Sequence, residues 1–302
     1  MASTRSVATP RAVNWKAIVV PYLYLAPFLV CFILFRIYPL LYGLYISVTD
    51  SELGRLKTHF VGLANYSSLP TDPRFLTSVV NTGVFTLEAT IPVLGVPLLL
   101  AVILNRSVHL RTFLRSAFFF PFTLSVVTVG LIWAWLLDPL SGPLTYYLNQ
   151  IGIYPPPWLG DTRTAMPAIV LATVWSVTGY YMVIFLASLQ DIPQQLLEAA
   201  ALDGASGWQS FWSITFPLIR PVMLFVVIIH IIGALQVFGI IYVMTKGGPA
   251  DATLSVVQYI YEIGFQGNFS LGPAAAMSWV LFVAIFIASI IQFKVFSGGP
   301  EY

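Results

Sequence analysis

The chain has 302 residues, 58% of them hydrophobic and only 9% charged, with a mean hydropathy of +0.85 and a formal net charge of +2. Soluble domains are about 45–50% apolar and about 25% charged, so this composition excludes a water-soluble globule and places the chain in a bilayer. The sparse charge excludes a nucleic-acid surface, and the single cysteine, Cys31, excludes an internal disulfide and a cysteine-based metal site.

Six apolar runs are each near or above the ~20 residues needed to cross ~30 Å of hydrocarbon. They cover 17–48, 79–104, 113–137, 165–189, 218–244 and 272–296. The first is longer than a bilayer requires, and Pro21, Pro27 and Pro39 predict a kink or tilt in it. The tail before it, residues 1–16, carries Arg5, Arg11 and Lys16 as a signal peptide would. The run is too long for one and lacks a small-residue cleavage site, so it reads as a retained anchor. Beyond it, "FVGLANYSSL" reads as an amphipathic helix on the membrane surface. Between the second and third runs, "NRSVHLRTFLR" carries Arg106, Arg111 and Arg115 with no acid, which predicts a cytoplasmic connection.

Counting six spans from there puts both termini and residues 190–217 inside, and 49–78, 138–164 and 245–271 outside. The second outer segment contains "DPLSGPLTYY" and "YPPPWLGD", and the third contains "TKGGPADAT", which reads as a flexible turn. The prediction is an all-α polytopic membrane protein. A tail of residues 1–16 precedes a six-helix transmembrane domain at 17–297, and a short tail follows at 298–302.

Residues 190–217 fit neither a span nor an ordinary loop. In "DIPQQLLEAAALDG", Asp191 is a plausible N-cap, Pro193 sits in a first turn, strong helix formers run to Leu202, and Gly204 stands where a helix should end. Ser206 is a second candidate cap. Trp208, Phe211, Trp212 and Thr215 then recur at helical spacing, and Pro217 is expected to end that run. Two short helices meeting at a glycine corner are one reading. An interfacial loop with its aromatics at the headgroups is the other.

"EAAALDGASGWQSFWSITFP" resembles the EAA signature of inner-membrane permeases from binding-protein-dependent ABC importers, with Glu198, Ala199, Ala200, Asp203, Gly204, Ala205, Phe211, Ile214 and Pro217 in place. Phe216 stands where that family usually has Leu. "FRIYPLLYGLYIS", "HFVGLANYSSLPTDPRF", "NTGVFT", "RSAFFFPFTLS", "LIWAWLLDP", "FLASLQDIP" and "MTKGGPADAT", in this order, are similar to the carbohydrate-uptake permeases related to MalF and UgpA. The resemblance implies the type I importer permease fold and half of a pore completed by a second, related permease. It implies that the EAA helices dock on a cytoplasmic ATPase present in two copies, and that the outer loops meet a substrate-binding protein delivering a sugar, expected to be a di- or oligosaccharide, with a phosphorylated polyol left open. ATP and Mg would then be bound by the ATPase, with no cofactor on this chain.

The residues agree with that division of labour. None of Lys16, Lys57, Lys246 or Lys294 follows a glycine, so there is no Gly-Lys-Ser/Thr phosphate loop. Neither a His-Glu-x-x-His helix nor a Gly-x-Ser-x-Gly elbow is present. The alternative is an ion-coupled secondary transporter of a small solute, which would need ionisable groups at mid-membrane. Arg36, Glu88 and His230 form only a thin relay of that kind. For the solute path, Thr173, Trp175, Tyr180, His230, Gln236 and Glu88 are candidates, each with interhelix packing as its plainer role. His230 and Gln236, six positions apart, fall about 240° apart around a helix, so at most one faces a pore.

Overall fold

The computed structural model describes residues 15–54, 58–105, 109–267 and 269–296; Arg5, Arg11, Arg106 and the tail at 298–302 lie outside them. Among the described residues the structure is helical, apart from two isolated antiparallel bridges, Thr49–Phe60 and Glu52–Ser270.

The first span is α1 (Trp15–Phe32), a π-helical turn at Ile33–Ile37, and α2 (Tyr38–Ser47), without interruption. Pro39 follows the π turn by two residues. A proline ring inside a helix strikes the carbonyl four residues back, and the wider turn moves that carbonyl aside. Beyond the short α3 (Ala64–Ser68), α4 (Pro73–Asn105) runs through Pro92 and Pro97. Its buried stripe of Ser78, Thr82, Ala89, Val93 and Ala101 meets α8 (Ala165–Gln190) through Ala89, Val93 and Ala101, while Thr82 accepts the Val256 N–H (3.0 Å). The hydroxyls on this stripe turn back to their own helix, as in Thr82 to the Ser78 carbonyl (2.8 Å) and Thr86 to that of Thr82 (2.7 Å). The core between these helices is filled by Phe85, Met182 and Phe185.

The predicted third span is not one helix. It divides into α5 (Arg111–Thr123) and α6 (Val126–Leu136), bent by 100°. At 1.5 Å per residue these are roughly 20 and 17 Å long, and neither alone crosses the bilayer. The break follows Pro121. Leu124 and Ser125 turn to extended backbone, and the Ser125 hydroxyl caps α6 by accepting the Thr128 N–H (3.2 Å). Five helices among the described residues are therefore long and apolar enough to cross a membrane, or six with the bent pair counted as one.

After α7 (Pro143–Gln150) and α8, a short α9 (Gln194–Leu202) leads to a long continuous helix. It begins as α10 (Gly207–Ser210), passes a π turn at Phe211–Thr215, and continues as α11 (Phe216–Leu235). Pro217 does not end the aromatic run. It follows the π turn by the same two residues as Pro39 does, and the helix runs on. The predicted fifth span also stops early, at Gln236–Phe238, and resumes as α12 (Gly239–Met244). There α12 lies on α6 through facing glycines: a Cβ at Gly130 would stand 2.8 Å from Val243, and one at Gly239 2.9 Å from Val126. The breaks in the third and fifth spans thus meet. Finally, α13 (Val256–Tyr261) precedes α14 (Leu271–Phe296), which packs on α2.

Candidate functional site: the corner between α9 and α10

Asp191 does not cap α9; it is the C-cap of α8, and α9 begins at Gln194 after Pro193. The end of α9 follows the sequence closely. Gly204 has φ +80, its N–H reaches the Ala201 carbonyl (3.1 Å), and the Ala205 N–H reaches that of Ala200 (2.9 Å). This pair of bonds closes a helix in the Schellman manner, and its left-handed residue favours glycine. The chain then restarts at Ser206, whose hydroxyl accepts the Gln209 N–H (3.3 Å) while the Gln209 side chain accepts the Ser206 N–H (2.8 Å). That capping box satisfies two orphan donors at the start of α10.

Ala200 is the one buried residue of α9. Glu198, Ala199, Asp203 and Gly204 are exposed, and Ala205 is half-buried. The Glu198 carboxylate accepts a bond from the Gln194 amide (2.8 Å) and lines an open cleft of about 560 Å³ with Asn105, Gln190, Ile192 and Ala201. Two features work against the corner's own stability. Asp203 sits at the carbonyl end of α9, where the helix dipole disfavours an acid and no basic residue offsets it. Leu202 is 90% exposed. Past the corner, Trp208, Phe211, Trp212 and Phe216 form a ring cluster, with Trp212–Phe216 centroids 4.8 Å apart. It faces Gly95, Leu98 and Val102 of α4 across a cavity of about 350 Å³. Ile214 is half-buried and Pro217 exposed.

The mid-span candidates divide. Thr173 lines a cavity of about 250 Å³ with Pro121, Phe122, Ser176 and Ile240. Trp175 lines a second, of about 430 Å³, with Pro121 and Thr178, and sets its edge against Trp133 (6.0 Å). Tyr180 stacks on Phe122 (4.6 Å). These three thus gather around the end of α5, just before the bend. His230 does not join them: it is buried in α11, edge-on to Tyr181 (6.2 Å). Gln236, at the C-cap of α11, and Glu88, on α4, are both exposed and line neither cavity. Sequence reading passed over Pro121, Phe122 and Ser176; Pro121 followed by the capping Ser125 was the available signal.

At the other end of the molecule, the segments predicted to lie outside are tied to one another. Arg74 forks onto Asp251 (2.8 and 2.9 Å), reaches Glu262 (3.1 Å), and lies 5.2 Å over the Tyr259 ring. The Tyr259 hydroxyl donates to Asp72 (2.6 Å), and the Asn81 amide donates to the carbonyls of Asp251 (2.7 Å) and Leu254 (3.2 Å). Arg74 holds the Asp251 carboxyl below its ordinary pKa. Burial, with Asp72 as acceptor, pushes the Tyr259 phenol up. "TKGGPADAT" is a tied turn, with left-handed Lys246, Ala250 and Asp251, and Thr253 bonded to Thr245 and to the Gly248 carbonyl (both 2.7 Å). Within "FVGLANYSSL", α3 is held to the end of α2, since Asn65 donates to the carbonyls of Ser47 and Thr49 (both 2.9 Å).

Comparison with known proteins gives this arrangement a family. Residues 93–296 match the model described as "Binding-protein-dependent transport system inner membrane component". The chain is 36% identical over 277 residues to the sn-glycerol-3-phosphate transport system permease protein UgpA of Agrobacterium fabrum, covering 91% of this chain and 94% of the relative. It is 35% identical over 277 residues to the arabinooligosaccharides transport system permease protein AraP of Bacillus subtilis, covering 91% and 87%. Its fold is similar to a chain in the crystal structure of a bacterial alginate ABC transporter in complex with alginate pentasaccharide-bound periplasmic protein. That match has a TM-score of 0.83, 22% identity, and coverage of 93% of this chain and 96% of the other. The spans and the sequence matches agree, and the chain belongs to the inner-membrane permease components of binding-protein-dependent ABC transport systems.

Proposed function

We propose that this permease forms half of the translocation pore of an ATP-driven importer for a sugar or a sugar-like polyol phosphate, and that the corner at Gly204 receives the stroke of a separate ATPase. The solute class is carried over from the relatives, whose names specify glycerol phosphate and arabinooligosaccharides. The observation that carries the coupling role is the composition of the corner. Exposed Leu202, Glu198 beside an open cleft with only the exposed Gln194 amide bonded to it, and Asp203 at the wrong end of a helix gain little within this chain. They gain if a partner surface covers the leucine and brings a cation to the acids. From the corner, one uninterrupted helix leads from Gly207 to Leu235, so a displacement of α9 is delivered directly into a span.

Two copies of the ATPase, with ATP and Mg bound there, and a second, related permease complete this reading. In the first span, Tyr22–Ser47, none of the apolar window is buried within the chain, against 56% of Ala165–Gln190. A span so bare suits a partner permease. Both termini and residues 190–217 are cytoplasmic in this reading, and the opposite face, with Arg74, Asp251 and Tyr259, meets the substrate-binding protein. Thr173, Trp175 and Tyr180, clustered by the bend, are the residues proposed to touch the solute.

Glu198→Lys tests the ATPase contact. An ion pair that loses one member leaves the other uncompensated, at a cost of about 3–5 kcal/mol when buried. The expected outcome is loss of ATPase co-purification and of uptake while the permease remains in the membrane. Co-purification at the wild-type level with normal uptake would show that Glu198 is a solvated side chain and would contradict the proposal.

A further inference from the structure

We propose that the arm between α6 and α8, with α7 at its centre, lies on the outer leaflet of the bilayer as an interfacial anchor. This goes beyond the reading of the outer face as a docking surface for a binding protein, because it removes the arm from that surface and assigns it to lipid. Residues 139–160 contain no Asp, Glu, Lys, Arg or His, although Asp138 and Asp161 stand immediately on either side. Large apolar side chains are nevertheless bare there: Leu140 is 97% exposed, Tyr147 66%, Ile151 70% and Tyr154 82%.

Their arrangement on α7 is amphipathic. Leu144, Tyr147 and Ile151 follow at intervals of three and four, which puts them on one stripe. Asn149 and Gln150 are exposed on the other side, where the Gln150 amide donates to the Tyr146 hydroxyl (2.8 Å). Thr145 is buried and turns the third face to the protein.

The depth of the arm follows from what it connects. It leaves α6 at Leu136 and returns through Trp158 and Leu159, which pack on the core. Thr164, whose hydroxyl donates to the Trp158 carbonyl (2.8 Å), then stands immediately before α8. In the orientation of the proposed function, on which this inference rests, the arm is therefore fixed at the outer end of a membrane-crossing helix, and it follows directly on α6, whose apolar Leu131 and Trp135 are also exposed. An uncharged segment with tyrosines at that level matches the headgroup boundary, where an apolar stripe sinks about 5–10 Å and phenol hydroxyls stay wet.

The experiment uses the intact transporter reconstituted in phosphatidylethanolamine–phosphatidylglycerol vesicles. With Cys31→Ser as background, Tyr147→Cys and Asn149→Cys are labelled separately with a nitrobenzoxadiazole fluorophore. At Tyr147→Cys the account expects blue-shifted emission, quenched roughly threefold more by a nitroxide near the lipid headgroup than by aqueous iodide, with the reverse at Asn149→Cys. Adding the binding protein should change neither. Water-like emission at Tyr147→Cys would overturn the proposal, and so would emission that shifts only when the binding protein is added, since the stripe would then be its docking surface. Should Tyr147→Cys disturb assembly, Ile151→Cys on the same stripe gives the same reading under the same criteria.

Discussion

The two ends of this permease are built on opposite principles. At the end assigned to the outside in the proposed reading, here the outer end, Asp72, Arg74, Asp251, Tyr259 and Glu262 bond to one another, and helix starts and turns separated by more than 170 residues are tied together. At the end assigned to the cytoplasm in the proposed reading, the α9 corner bonds almost wholly to itself through Gly204, Ala205 and Ser206, and leaves Glu198, Leu202 and Asp203 facing outward. Polar groups that satisfy one another make a region rigid by itself. Groups left outward make a region whose favourable interactions await a partner. Damage to the outer end should therefore appear as lost stability, and damage to the corner as lost coupling.

The largest effect should come where the outer end has no room. A Cβ at Gly272, at the start of α14, would overlap the Thr49 carbonyl, so Gly272→Val is expected to cost about 3 kcal/mol. Thermal unfolding of the detergent-purified transporter reads this as a lower midpoint with or without the ATPase. Removing the Tyr259–Asp72 bond with Tyr259→Phe should lower the midpoint by a smaller step, about 1.5 kcal/mol for a bond to a charged acceptor. An unchanged midpoint in both variants would mean that the outer network is decorative.

Acid should act on the outer end in a defined window. Because Arg74 depresses the Asp251 carboxyl, the pair contributes stability above the unfolded carboxylate pKa of about 4 and loses it as pH falls through the lower folded value. Between pH 5 and 8 the midpoint should not respond to Asp251; only below about pH 4 should wild type approach Asp251→Asn. A difference that disappears near pH 6 would assign it to another group. The smallest stability change is expected at the corner. Leu202→Ser should shift the midpoint by less than about 0.5 kcal/mol, as for other exposed sites, while reducing ATPase co-purification.

How much of this was legible in the sequence depended on the range of the forces involved. α8 was predicted at 165–189 and observed as Ala165–Gln190, because a long apolar run bounded by polar residues needs no tertiary information. The stop at Gly204 and the start at Ser206 were likewise local. Asp191 and Pro217 were misread because both have a second legitimate use. An acid two residues before a proline can also end the previous helix, and a proline is tolerated inside a helix when a π turn precedes it, as at both Pro39 and Pro217. The 100° bend at Leu124–Ser125 has a local signal in Pro121 and the capping Ser125, whereas the break at Gln236–Phe238 and the packing of α12 on α6 have none that periodicity records. The same holds for the outer network, whose partners are far apart in the chain. Of the mid-span candidates, type and depth identified polar residues, but only the bend gathered Thr173, Trp175 and Tyr180 and left His230, Gln236 and Glu88 elsewhere.

The central claim, that the corner transmits motion, is tested most directly by ATP hydrolysed per solute imported in Gly204→Val and Gly204→Asn transporters. Nothing lies within 4 Å of a Cβ at this position, so a substitution acts through the backbone alone. A β-branched residue at φ +80 costs ~1 kcal/mol or more, whereas asparagine tolerates this region. The account predicts that Gly204→Val retains the ATPase and hydrolyses ATP with little uptake, whereas Gly204→Asn keeps a ratio near wild type. Equal, wild-type ratios in both variants would contradict it.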